Sequence, residues 1–197
     1  MYTDEEFYNE LNRLIDLQLN EIKISYESGA DVLTLVGCMN LIEFIGGVYT
    51  GKIGEKGFAE KRFKQGIALL GERYADKTLS NAKIMWSLRN ALVHQYIPED
   101  NENNVGIFNL WGKKFWSFGD EHMLKPPHYK TGGKIPFATD IHTDFLIADL
   151  VKAKEKLIKE VKENEKLRNK MKLTFWWMPK VNEQNYHELL NMDFGTK

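Results

Sequence analysis

Between Asp31 and Ile45 the chain is apolar on nearly every side of a helix, through Val32, Leu33, Leu35, Val36, Met39, Leu41, Ile42 and Phe44. A helix of that kind is either a core helix or a membrane span. The widest apolar window, Ala30 to Tyr49, holds Asp31, Asn40 and Glu43 and ends in Gly46-Gly47. An acid at mid-membrane costs about 2–3 kcal/mol, so the segment reads as a core helix that other elements must surround, with no membrane partner. A bundle built around one central helix satisfies that requirement. The length of 197 residues fits a single domain over 1–197, and 43% hydrophobic with 28% charged residues is ordinary globular composition. Cys38 is the single cysteine, so neither an intramolecular disulfide nor a Cys-based zinc site can form. With an acidic start at Asp4-Glu5-Glu6 and no leader pattern, the expected location is the cytoplasm.

The periodicities predict an all-α fold of four to five helices, at about 3–26, 31–45, 58–74, 80–96 and 140–172. Thr3 and Glu6 have capping-box spacing, and Phe7, Leu11, Leu14, Ile15 and Ile22 recur at helical intervals. Gly46-Gly47 reads as the stop of the second helix, followed by a loop carrying Gly51, Gly54 and Gly57. The third helix turns Phe63, Ile67, Leu69 and Leu70 inward, and the fourth ends before Pro98. An insertion at about 105–138 interrupts the helices. It comprises a β-hairpin from Val105–Trp111 and Lys114–Phe118, turning near Gly112-Lys113, and a long loop with Pro126-Pro127, Gly132-Gly133 and Pro136. The last helix begins near Thr139 or Asp140. As one unbroken rod to Lys172 it would be on the order of 45 Å long, with a stripe of Phe145, Leu146, Leu150, Val151, Leu157, Ile158, Val161 and Met171.

The chemistry gathers at the end of the fourth helix, Trp86-Ser87-Leu88-Arg89-Asn90-Ala91-Leu92-Val93-His94-Gln95-Tyr96. At 100° per residue, Ile84, Met85, Leu88, Ala91 and Leu92 form the core stripe. Asn90 and His94 stand one turn apart on another face. The arc from Arg89 round to His94 also carries Trp86 and Val93, which water would not favour, so it implies a second buried contact with another helix or another subunit. Arg89 and His94 are about 140° apart on a straight helix. Two copies packed across this arc could bring them together, with Trp86 and Val93 at the dimer interface.

Arg89-Asn90-Ala91-Leu92-Val93-His94 fits Arg-(polar)-x-x-x-His and resembles the HEPN superfamily, whose members are all-α bundles; Leu88 and Tyr96 fit the same context. The resemblance implies a metal-independent endoribonuclease with no cofactor, acting as a homodimer on RNA. It also implies a cognate antitoxin protein as partner, as in toxin and defence systems, and a 2′,3′-cyclic phosphate product. The residue types suit that chemistry. A histidine titrates near neutrality, so His94 can act as general base or acid. Arg89 holds phosphate oxygens through its forked donors. Asn90 could orient the imidazole or donate to phosphate, and Tyr96 could bind substrate by stacking on a base or supply a hydroxyl. A non-catalytic HEPN-like module binding RNA or a protein is the alternative. The same residues also have a structural reading, in which Arg89 pairs with an acid and His94 favours the helix C-terminus.

Asp140-x-His142-x-Asp144, with His122 and His128 upstream, contains metal-type ligands but lacks tight zinc spacing, and reads as capping; no metal site is expected. From Lys152 to Lys172 nine basic residues face four acidic ones, a local excess of five, while the first helix carries acids at 4, 5, 6, 10, 16, 21 and 27. The basic helix could follow a nucleic-acid backbone, or be a solvated face with pairs such as Glu155–Lys159. Trp111, Phe115, Trp116 and Phe118 could stack on bases or form a small core under the hairpin.

Overall fold

A computed structural model of the chain describes residues 3–53, 56–71, 74, 85–86, 88–90, 92, 107–113, 115–118 and 138–175. It is mostly helical, as the periodicities require. Helix α1 spans Asp4–Glu27, α2 Asp31–Thr50, α3 Ala59–Leu70, α4 Thr143–Glu163 and α5 Glu165–Phe175. Within 85–92, Met85, Trp86, Leu88, Arg89, Asn90 and Leu92 are helical. The expected capping box is present at the start of α1. The Glu6 amide donates to Thr3 Oγ1 at 3.1 Å, and the Thr3 amide donates to a Glu6 carboxylate oxygen at 2.8 Å. Phe7, Leu11, Ile15, Leu19 and Ile22 then point into the core.

Helix α2 is the central element. It is long and apolar enough to cross a membrane, yet more than half of its most apolar window is buried within the fold against α1, α3, α4 and α5. It does not stop at Gly46-Gly47 but continues to Thr50. The two glycines serve a close crossing instead. A Cβ on Gly46 would overlap the Arg62 carbonyl oxygen, and one on Gly66 would overlap the Ile42 carbonyl oxygen. The backbones of α2 and α3 therefore touch, which any larger side chain would prevent. The true stop is Gly51, at a left-handed φ of 66°, whose amide reaches back to the Val48 carbonyl while the Lys52 amide reaches that of Gly47. Helix α3 likewise ends at Leu70 rather than near Tyr74, because Gly71 leaves helical geometry at φ 122°.

The hairpin is present as β1 (Ile107–Trp111) and antiparallel β2 (Phe115–Phe118), pairing Trp111 with Phe115 and Phe108 with Phe118. The segment expected to open the last helix is instead a third strand, β3 (Ala138–His142). It runs parallel to β1 and gives the order β2-β1-β3. The sheet is pinned to the bundle by Asp31, a buried acid at the start of α2 that accepts the Lys113 amide at 2.8 Å. Gly112 is the close-approach position in that turn, because a Cβ there would overlap the Asp31 carboxylate.

The expected single rod over 140–172 is two helices. Asn164 is extended (φ −114°, ψ 97°), and its side-chain oxygen accepts the Leu167 amide at 3.0 Å, which caps α5. Helix α4 buries Leu146, Ile147, Leu150, Ala153, Leu157 and Val161, while Phe145, expected in the stripe, is exposed. Tyr74 donates to the buried Asp149 of α4 at 2.8 Å.

Candidate functional site: an arginine cleft on the central helix

The backbone contact between Gly46 and Gly66 sets the local geometry. It brings α3 so close to α2 that the Arg62 side chain runs across the bare face of Gly47, with Cδ 3.0 Å from where a Cβ would stand. From there Arg62 reaches Glu43, one turn back along α2. Its Nη2 donates to Glu43 Oε1 at 2.6 Å, and its Nη1 donates to the Lys52 carbonyl at 3.2 Å. The other Glu43 oxygen accepts Nη2 of Arg89, also at 2.6 Å. One carboxylate thus holds two guanidinium groups, and the three side chains are only 12–15% exposed.

Trp86 completes the support. Its ring lies 5.6 Å from that of Phe63 on α3, tilted by 52°, and the Arg89 guanidinium carbon lies 5.2 Å from the Trp86 ring centre. The second contact expected on this arc is therefore, for Trp86 and Arg89, another part of the same chain. Met85, Leu88 and Leu92 are buried, as the core stripe requires. Asn90 is partly buried, and its side-chain oxygen accepts Arg89 Nη1 at 3.2 Å. Val93, His94 and Tyr96 lie outside the described residues.

A cleft of about 280 Å³ opens over this cluster, lined by Asn40, Glu43, Phe44, Ile53, Arg62 and Arg89. Among the described residues its polar side carries Arg62, Arg89 and Glu43, and Phe44 and Ile53 supply an apolar wall. The Nε of Arg89 is buried with no hydrogen-bond partner among the described residues. An arginine has five N–H donors in a planar fork, of which Arg89 uses one on Glu43 and one on Asn90 among the described residues. Glu43 and Arg62 were not among the residues singled out from sequence. Glu43 had a legible signal, because an acid inside an apolar helix needs a cation to compensate its burial. Arg62, one of several basic residues on an amphipathic helix, had none.

The other sequence candidates fall elsewhere. Among the described residues no cluster of three His, Cys, Asp or Glu could hold a metal. His142, at the end of β3, is exposed and lies 5.3 Å from the Phe145 ring; Asp140 is on β3, and His122 and His128 are outside the described residues. Cys38 is buried in α2, and burial pushes its thiol up to about 12, which suits a core residue rather than a nucleophile. Much of the basic character of α4 and α5 is met within the chain. Lys154 pairs with Asp16 at 2.6 Å, and Lys172 and Arg168 pair with Asp4 at 2.8 and 3.0 Å. Lys159 stands 4.0 Å from Glu163, the acid ahead of it, where Glu155 was the expected partner. Comparison of the chain with protein-family models, curated proteins and solved structures finds no match.

Proposed function

We propose that the chain is a metal-independent endoribonuclease of the HEPN toxin or defence type. It would work in the cytoplasm as a homodimer, held in check by a cognate antitoxin protein. The observation that carries this reading is the setting of Arg89. The arginine of the Arg-x4-His motif stands at an open cleft, oriented by Glu43 and doubled by Arg62. Preoriented guanidinium groups at low exposure are suited to the charge that develops on a phosphate in the transition state. In this scheme a base takes the 2′-OH proton, the 2′-oxygen attacks the adjacent phosphorus, and the 5′-oxygen leaves with a proton from an acid. His94 serves these proton transfers, Arg89 stabilises the phosphorane-like charge, and Asn90 positions its neighbours. The products are a 2′,3′-cyclic phosphate and a 5′-hydroxyl end.

A second reading has its own support. Arg89 and Trp86 are engaged inside the chain, by Glu43 and Phe63, as structural residues would be. On that reading the chain is a non-catalytic HEPN-like module that binds RNA or a protein. Incubation of a mixed, end-labelled RNA pool in EDTA separates the two. The ribonuclease reading expects cleavage by wild type, with cyclic-phosphate ends, and a loss of at least about a hundredfold in Arg89→Ala and His94→Ala. Equal cleavage by all three proteins would overturn the assignment to this motif, and cleavage by none would favour the binding module.

A further inference from the structure

We infer that exposed lysines around the C-terminal end of α2, Lys56 and Lys61 beside the start of α3 and Lys166 and Lys170 on α5, form a surface that binds the phosphodiester backbone of RNA. This deepens the RNA reading above and rests on it. Helix α5 packs against α2, and Lys170 lies over the bare Gly51 at the α2 stop, with Cγ and Cε 3.0 and 3.2 Å from where a Cβ would stand. The next residue, Lys52, links this end of α2 to α3. Its ammonium lies 4.9 Å from the centre of the Phe58 ring, and that of Lys61 lies 5.8 Å from the same ring. Lys166 stands one helical turn before Lys170, about 6 Å along α5. The lysines thus make a row across two elements rather than a single point.

Two local roles do not account for that row. Lysines beside a helix end often serve its last carbonyls, but those of α2 already have donors. The Thr50 hydroxyl donates to the Gly46 and Gly47 carbonyls at 2.9 and 3.2 Å, and the amides of Gly51 and Lys52 donate to those of Val48 and Gly47 at 3.1 and 3.0 Å. Lysines on helix surfaces also pair with acids, as Lys64 does with Glu60, Lys154 with Asp16 and Lys172 with Asp4. Lys56, Lys61, Lys166 and Lys170 are exposed and form no ion pair among the described residues. The basic run read in the sequence from Lys152 to Lys172 is therefore sorted by the fold into lysines that staple α1 and lysines that face outward beside α3. An outward row of ammonium groups fits an anion charged at every unit, as a phosphodiester chain is, and each phosphate it engages releases condensed counterions. Lysine is a point charge on a flexible stem, so such a surface holds the backbone without reading bases.

The test separates binding from cleavage by using a fluorescein-labelled 2′-O-methyl RNA of mixed sequence, which lacks the attacking hydroxyl. Fluorescence anisotropy is followed at several salt concentrations for wild type, Lys61→Gln, Lys170→Gln, the double variant Lys61→Glu/Lys170→Glu and Lys23→Gln, with circular dichroism as the check on folding. Lys23, exposed near the end of α1 and so beside the start of α2, is the control for loss of net charge. Each lost phosphate contact makes the salt slope shallower by about 0.7, which at about 0.1 M salt is about fivefold in affinity. That change is expected for Lys61→Gln and for Lys170→Gln, a loss of more than about twenty-fivefold for the double reversal, and no change for Lys23→Gln. Equal weakening in all three single variants would reduce the effect to net charge and overturn the surface. Binding within twofold of wild type by the double reversal, absence of binding by wild type, or equal competition by polyglutamate would overturn it too. Lysine-dependent binding without cleavage of ordinary RNA would remove the ribonuclease reading and leave the surface standing. Cleavage with binding independent of these lysines would do the reverse.

Discussion

Glu43 is the residue on which the site turns. It sits inside an otherwise apolar helix and is tolerated there because Arg62 and Arg89 each bind one of its oxygens at 2.6 Å. Replacement by glutamine keeps the shape but leaves two poorly solvated guanidinium groups facing each other. Breaking a buried pair from one side costs about 3 kcal/mol, so Glu43→Gln should lower the urea midpoint accordingly at unchanged slope. An unchanged midpoint would show that the pair is effectively solvated. A second residue ties the two ends of the chain's helical frame. The hydrogen bond from Lys172, aided by the charge of Arg168, holds the Asp4 carboxyl below its ordinary value of 3.8. A depressed carboxylate favours the folded state fully above its unfolded pKa, and that contribution is lost as pH falls through the folded value. An NMR titration should place Asp4 below 3.8 and show it returning towards 3.8 in Lys172→Ala.

At the scale of elements, glycine and asparagine explain both the legible and the illegible parts of the fold. The capping box at Thr3 and Glu6 was readable because it is a local pattern with a single meaning. Gly46-Gly47 has two meanings, a helix stop or a site of close helix contact, and only the position of α3 decides between them. The break at Asn164 was hidden because the apolar stripe stays nearly in phase across it, from Val161 to Met171. Strand β3 was hidden because its partner β1 is parallel and distant in sequence, so no turn announces the pairing. Gly66→Ala should destabilise by about 2–3 kcal/mol in urea, since the new methyl meets backbone rather than a movable side chain. Asn164→Ala should lose about 1 kcal/mol through the α5 cap. A neutral Gly66→Ala would contradict the close crossing of α2 and α3.

For the whole molecule, charge and apolar surface tell a consistent story. The acids of α1 and the bases of α4 and α5, which look like opposing patches in sequence, meet one another at Asp16–Lys154 and Asp4–Lys172. At the cleft over α2, Arg62 and Arg89 both pair with the Glu43 carboxylate. The motif named Arg89 from sequence, but its partners come from residues 46 and 27 positions away, which only packing could reveal. On the ribonuclease reading, the histidine and arginine of one reaction centre come from two copies of the chain, because about 140° separates them on one helix.

Subunit mixing tests that requirement most directly. Arg89→Ala and His94→Ala proteins, each inactive alone, are dissociated, combined and reassociated, and RNA cleavage is followed in EDTA. Random pairing makes half of the dimers mixed, and each mixed dimer holds one intact arginine–histidine pair, so roughly a quarter of the wild-type rate should return. A mixture no more active than either variant, beside an active wild type carried through the same steps, would contradict the composite site, and an inactive wild type would contradict the enzyme itself.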